Sequence, residues 1–279
     1  MVIEISSDSR IDINHHFRVS AGPGAGKTHW LSLHVSHVLK DSESLGKMGK
    51  VACLSYTNVG ADTLMGRMYE DRSRVLSCTI HSFLYAYIVK PYLHFIATDE
   101  GFNIELLNGE DDRILSDYNT FEEIRKAVKQ YYAEQDATFT AIRAAKWKLQ
   151  EDGSLKCYAN PPKKCCKKGY ALNENAYVVY KKLAWKKGYM HYDDVLYFSY
   201  KLIQKYPFIS RTLAIQFPYV FIDEFQDTNP IQAKIIKSLG ENGAIVGVIG
   251  DYAQSIYGFL GADPNQFASF TLDGLLDYT

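Results

Sequence analysis

Apolar positions along the first ninety residues alternate between two spacings. HFRVS (16–20), KVACLS (50–55) and VLSCT (75–79) are short runs rich in β-forming residues and read as strands. Between them, WLSLHVSHVL (30–39) spaces its apolar residues at helical intervals. TNVGADTLMGRM predicts a second helix, opened by Thr57 or Asn58 as cap. Strand, helix, strand, helix predicts a parallel sheet with helices on its faces. From about Leu93 to Tyr192 the pattern becomes mostly helical, polar and basic, with a loop at YANPPKKCCKKGY and few convincing strands. The first pattern returns after Phe217, in PYVFID (218–223) and AIVGVIG (244–250). The expected organisation is therefore an α/β domain over 1–92 and 192–279, interrupted by a helical, basic subdomain over 93–191.

Composition narrows the setting. No apolar run approaches the roughly eighteen residues that a membrane helix needs. The N-terminus carries acids and no apolar signal core, which points to the cytoplasm and to no membrane partner. Five cysteines without Cys-x-x-Cys spacing read as reduced thiols, and the adjacent Cys165 and Cys166, even with Cys157, make poor joint ligands for one metal ion. His34 and His37 lie one helical turn apart and read as surface residues. The net charge of −1 conceals an asymmetry: positions 141–190 carry +9 and the remainder −10. A local patch of that size matters more to a polyanionic partner than the total.

The strand-to-helix junction reads Ala21-Gly22-Pro23-Gly24-Ala25-Gly26-Lys27-Thr28, followed by His29. Small residues let backbone N–H groups wrap a phosphate chain, and the next helix adds its positive end. In that pattern Lys27 reaches the β- and γ-phosphates and the Thr28 hydroxyl ligates Mg²⁺. Ala21, Gly22, Gly24, Ala25, Gly26, Lys27, Thr28 and His29 are the candidate nucleotide-binding residues. A plain glycine turn is the competing account, since Ala21 replaces the usual first glycine.

Asp223 and Glu224 close the apolar run YVFI. Two carboxylates at the end of a buried strand cost desolvation energy unless they meet a cation or do chemistry. Alone such a pair is more often a solvated strand end. Downstream of a phosphate cradle, Asp223 suits a metal-holding role beside Thr28, and Glu224 the orientation of an attacking water as general base. A third cluster, GDYAQSIYGF (250–259), offers Gln254 as a γ-phosphate sensor and Tyr257 and Phe259 as faces for base stacking. Read in isolation, Phe259 is a core residue and Tyr257 a surface one.

Taken in order, these segments resemble the UvrD/Rep branch of superfamily 1 helicases. AGPGAGKT resembles motif I, which in this branch commonly begins with Ala. SYTNVGADTLMGRM (55–68) resembles motif Ia, TIHSF (79–83) motif Ib, FIDEFQDTNPIQ (221–232) motif II and GDYAQSIYGFLGA (250–262) motif III. The likeness covers roughly 17–90 and 190–262. It implies a RecA-like P-loop NTPase domain with a helical subdomain inserted between motifs Ib and II, and a helicase or translocase motor that hydrolyses ATP with Mg²⁺ on single-stranded DNA or a duplex junction. Carried over, Lys27, Thr28, Asp223, Glu224 and Gln254 form the ATP–Mg²⁺ site. Gln226 and Asp227 couple it to neighbouring motifs. Thr57, Asn58 and His81 contact the DNA backbone, and Tyr257 and Phe259 meet the bases. HSFLYAYIVKPY also resembles helicase subunits of Gabija-type anti-phage systems, which implies antiviral defence and a partner subunit such as a nuclease.

The departures qualify what is carried over. Leu260 stands where the family usually has Arg, and no Leu-Asn-x-x-Gln adenine-reading element precedes motif I, which leaves ATP preference open. The second RecA-like domain, with its arginine fingers, is expected from a longer protein or a partner. A nucleotide-binding sensing or assembly module is therefore the alternative function. A small-molecule kinase is the weaker third reading, because it leaves Gln254–Tyr257 without a purpose. In the insertion, Lys163, Lys164, Lys167 and Lys168 suit phosphate neutralisation and Trp147, Tyr158, Tyr170 and Trp185 suit base stacking, against a solvated lysine-rich face.

Overall fold

The computed structural model describes residues 2–68, 72–251 and 265–279. Along the chain, strands β1 (Val2–Ile3) and β2 (Phe17–Ser20) precede helix α1 (Lys27–Asp41). Next come β3 (Val51–Ser55), helix α2 (Asn58–Arg67) and β4 (Val75–Thr79). Strands β5 (Lys146–Leu149) and β6 (Leu155–Tyr158) lie mid-chain. Then follow β7 (Tyr219–Ile222), helix α3 (Pro230–Glu241), β8 (Ile245–Gly250) and β9 (Leu276–Tyr278). The chain forms two compact units, Met1–Ile88 with Ile203–Thr279 and, between them, Val89–Leu202.

The first unit is built on a seven-stranded sheet in the order β1-β9-β2-β8-β7-β3-β4. Every strand pair in it is parallel. This is the α/β architecture that the alternating runs predict, and β2, β3, β4, β7 and β8 fall on those runs. β3 and β7 are buried along their whole length, as strands covered on both faces must be. Phe17, Trp30, Val35, Cys53, Phe221 and Ile249 share one core layer, beneath α1. His34 belongs there too, against its expected surface position. It is 4% exposed and stacks on Trp30 at 5.1 Å, with Phe17 and Phe221 beside it. Burial pushes the imidazole down to about 3, so it packs as a neutral ring.

Parallel strands all end on one edge, and here four of those ends carry the candidate chemistry. β2 runs into Ala21, β3 into Tyr56 and Thr57, β7 into Asp223, and β8 into Asp251. The register puts Ser20 opposite Gly250 and Ile222 opposite Val248. Ala21 N donates to Gly250 O at 3.0 Å and Asp223 N to Leu54 O at 2.9 Å, which continues the alignment past the strands. Such an edge is where open α/β sheets bind ligands.

The second unit is largely helical, with a long helix at Glu174–Lys186 and most of the helix Tyr192–Lys205. It also holds the antiparallel pair β5–β6, which the helical reading of this stretch misses. Its centre is a carboxylate, Asp194, that is fully buried. Asp194 accepts from Trp147 Nε1 and Trp185 Nε1, both at 2.9 Å, and from His191 N at 3.1 Å, and it pairs with Lys181 at 2.7 Å. Trp147 and Trp185 are 6% and 0% exposed, so they are core residues and cannot stack on bases as expected. Tyr170 is exposed and touches Tyr132, also exposed, at 5.1 Å. Lys164, Lys167 and Lys168 are exposed and Lys163 partly so, while Lys181 is consumed by its buried pair. Cys157, Cys165 and Cys166 are buried free thiols, and among the described residues no three or more His, Cys, Asp or Glu side chains are grouped to hold a metal ion.

Candidate functional site

The cradle begins where β2 ends. Gly24 and Gly26 have φ of 74° and 84°, a left-handed conformation that costs other residues energy and glycine little. Gly26 is the residue before α1, and no side chain caps the first turn. No acidic residue sits in that turn either, so the amides and dipole of a fifteen-residue helix face the cradle uncompensated. Lys27 Nζ donates to Ala21 O at 3.1 Å and Gly22 O at 3.3 Å, folding back over the loop. A cavity of about 250 Å³ opens here, lined by Ser6, Ser7, Ala21, Gly22, Ala25 and Lys27. His29 is half exposed and lies 3.4 Å from Asp8.

Across the sheet edge, the Thr28 hydroxyl lies 3.5 Å from Asp223 Oδ2. Residues 195 positions apart are thus brought together by the β2-β8-β7 order. Asp223 is 7% exposed. Burial first, and the Glu224 carboxylate second, push its acid up to about 6, against the opposing pull of Lys27 and Thr28. A buried carboxylate held high by lack of countercharge, beside a hydroxyl oxygen, is a donor set that fits Mg²⁺, which prefers hard oxygen ligands.

Glu224 has φ 53° and ψ 43°, rare for a residue with a side chain and strained. The conformation turns the chain out of β7 into the short helical turn Phe225–Asp227. Gln226, buried at 2%, then spans two strand ends. Its Nε2 donates to Glu224 Oε2 at 2.7 Å, and its Oε1 accepts from Asp251 N at 3.0 Å. Gly250 makes room for this bridge, since a Cβ there would lie 2.6 Å from Gln226 Oε1. Asp227 is raised by partial burial and by Glu224. The end of the segment has a plainer explanation: Asn229 and Gln232 form a reciprocal capping box that starts α3.

Thr57 caps α2, accepting from Gly60 N at 3.2 Å, and both Thr57 and Asn58 are exposed at the end of β3. His81 departs from expectation. It follows β4 on a short helix and is only 4% exposed, so the surrounding core leaves it no surface on which to meet a phosphate. Gln254, Tyr257 and Phe259 lie outside the described residues. One feature had no signal in the sequence, the turn Ser6–Ser9, which reaches the cradle so closely that a Cβ on Gly26 would stand 3.2 Å from Ser7. Gln226 is expected from its place in FQDT to couple the site to its neighbours, but its partners Glu224 and Asp251 were not legible.

Comparison with known sequences gives the family. The family described as UvrD/REP helicase N-terminal domain matches residues 7–273. The ATP-dependent DNA helicase srs2 of Schizosaccharomyces pombe is 26% identical over 278 residues, covering 93% of this chain and 30% of that protein. The ATP-dependent DNA helicase PcrA of Leuconostoc citreum is 24% identical over 262 residues, covering 91% of this chain and 33% of that protein. DNA helicase II of Haemophilus influenzae is 36% identical over 97 residues, covering 35% of this chain and 13% of that protein. The chain spans about a third of the length of the first two relatives.

Proposed function

The chain belongs to the UvrD/REP helicase N-terminal domain family, and we propose that it is the nucleotide-binding part of a DNA-translocating motor that hydrolyses ATP with Mg²⁺ on single-stranded DNA. The observation that carries this reading is the approach of Thr28 to Asp223 at 3.5 Å beside an uncapped, glycine-led helix start. A glycine turn alone accounts for neither the buried acid nor its facing hydroxyl.

In this reading the backbone N–H groups of Gly22 and of residues 24–28 hold the phosphate chain, Pro23 having none to give. Lys27 leaves the carbonyls of Ala21 and Gly22 to reach the β- and γ-phosphates. Thr28 and Asp223 are the protein ligands of Mg²⁺, which when bound supplies countercharge to the phosphates. Glu224 orients the attacking water and takes its proton. Its strained backbone and the Gln226 amide fix the carboxylate's direction. The bond from Asp251 to Gln226 ties that carboxylate to the segment carrying Gln254, the proposed γ-phosphate sensor. Thr57 and Asn58 offer exposed polar groups to the DNA backbone, and Tyr257 and Phe259 are proposed to meet its bases. Lys164, Lys167 and Lys168 add an exposed cationic surface in the second unit.

Leu260, where an arginine is usual, favours a second reading, a nucleotide sensor whose output is assembly with a partner. Both readings require nucleotide to bind at the cradle. Titration of a fluorescent ATP analogue into the chain with Mg²⁺ tests that. Saturable binding lost in Lys27→Ala supports the site, and equal binding by the variant refutes it.

A further inference from the structure

The second unit holds a cavity of its own, of about 620 Å³, that the proposed function leaves unused. Such a volume falls in the range of about 300–1,000 Å³ usual for small-molecule sites. Its lining has a buried part, with Tyr180, Lys181, His191 and Asp193, and an exposed part that carries Arg143 and Lys146.

The buried part is rigid, and most of its polar groups are occupied. Lys181 pairs with Asp194 at 2.7 Å. His191 is bonded at both ring nitrogens, Nε2 with Tyr180 Oη at 3.1 Å and Nδ1 with Asp194 Oδ2 at 3.2 Å. Asp193 accepts from Trp147 N through Oδ2 at 2.6 Å. It is 7% exposed and forms no salt bridge among the described residues, so it keeps acceptor capacity facing the cavity.

The exposed part is where unpaired charge collects. Arg113 is held by Asp111, and Asp112 accepts from Tyr192 N at 2.7 Å. Arg143 and Lys146 form no salt bridge among the described residues. A tight turn sets these two apart by three positions, with Ala144 N donating to Ala141 O and Ala145 N to Ile142 O, both at 3.1 Å. Trp147, the next residue, is anchored to Asp193 and Asp194, which fixes the turn against the cavity. Both cations reach its buried groups electrostatically. Burial pushes the Tyr180 phenol up to about 12 and the Asp193 acid up to about 6. Lys181 opposes the shift at each, joined by Arg143 at Tyr180 and by Lys146 at Asp193.

We propose that this cavity binds a nucleotide bearing a phosphate monoester, its phosphate on Arg143 and Lys146 and a donor of its sugar or base on Asp193. The nucleotide is the end of a DNA strand or a free mononucleotide. A monoester carries close to two charges at neutral pH and matches two unpaired cations, whereas an internal phosphate of a strand carries one. A guanidinium and an ammonium only donate, and a carboxylate only accepts, so each part of the ligand meets a group of the opposite kind. The site is independent of the phosphate cradle, and its test needs no ATP.

Anisotropy with the full chain compares one internally labelled single-stranded oligonucleotide carrying a phosphate at its 5′ end, at its 3′ end or at neither. Calorimetry compares thymidine 5′-monophosphate, thymidine and inorganic phosphate. If strand ends are the source, one phosphorylated end binds about tenfold or more tighter than hydroxyl ends. If free nucleotide is the source, the monophosphate binds about tenfold or more tighter than thymidine or inorganic phosphate. In the double variant Arg143→Gln, Lys146→Gln the preference shrinks to about twofold, while hydroxyl-ended DNA changes by at most about threefold. Both positions are exposed, so an unchanged melting temperature shows that the variant is folded. No preference for the monoester in either arm overturns the inference, as does a preference that survives in the double variant. Equal weakening of phosphate-ended and hydroxyl-ended DNA also overturns it and assigns Arg143 and Lys146 to the DNA backbone.

Discussion

The side-chain amide of Gln226 donates to Oε2 of Glu224 at 2.7 Å, and the same side chain accepts from the backbone of Asp251 at 3.0 Å. One buried residue thus fixes the direction of the proposed general base and ties it to the end of β8.

Gln226→Leu removes both bonds inside the protein and leaves the Asp251 N–H without this acceptor. A cost of about 1–3 kcal/mol in stability is expected from denaturant unfolding. Because Gln226 touches neither cradle nor metal ligands, nucleotide affinity stays within about threefold while turnover falls by about tenfold or more, the signature of lost orientation. Gly250→Ala drives a methyl toward Gln226 Oε1 and reproduces the effect. Equal losses of affinity and turnover in Gln226→Leu would show that the bridge is merely structural.

Asp194 organises the second unit by accepting from two tryptophans and pairing with Lys181. Removing one partner of a fully buried pair leaves an uncompensated charge, so Asp194→Asn destabilises by about 3–5 kcal/mol at pH 7. Burial alone would raise this carboxyl, but Lys181 and His191 hold it below the usual carboxylate range. A depressed folded-state acid contributes stability above the unfolded value of about 4 and loses it as pH falls through the folded value. The gap between Asp194→Asn and the native chain therefore narrows below about pH 4, as thermal melts across pH can show. A gap that is constant with pH contradicts the assignment.

The four lysines around Cys165 and Cys166 are proposed to neutralise DNA phosphates. Replacing Lys163, Lys164, Lys167 and Lys168 with Gln reduces the slope of log affinity against log salt by about 2–3 for single-stranded DNA, each lost contact contributing about 0.7. Anisotropy titrations from low to moderate salt measure this slope. An unchanged slope means that the lysines form a solvated face.

Much of the proposed nucleotide site was legible because its chemistry is local. A glycine turn between strand and helix and an acid pair after a buried strand are short-range patterns, and the parallel sheet brings their ends together. What escaped depends on long-range packing. His34 reads as polar until α1 is laid across Phe17 and Phe221. Trp147 and Trp185 sit among lysines, and only the depth of Asp194 explains why both are interior. The β5–β6 pair did leave a signal: Asp152-Gly153, with Gly153 at φ 80°, is a hairpin turn between runs too short for period-two patterning to register. Ser6–Ser9 left none, since a polar turn looks alike whether it faces solvent or a cradle.

The most direct test of the central claim is steady-state ATP hydrolysis by the chain, with and without single-stranded DNA, beside Glu224→Gln. The account predicts slow turnover that rises when DNA is added and disappears in the variant, with nucleotide still bound. Hydrolysis that persists unchanged in Glu224→Gln would contradict it.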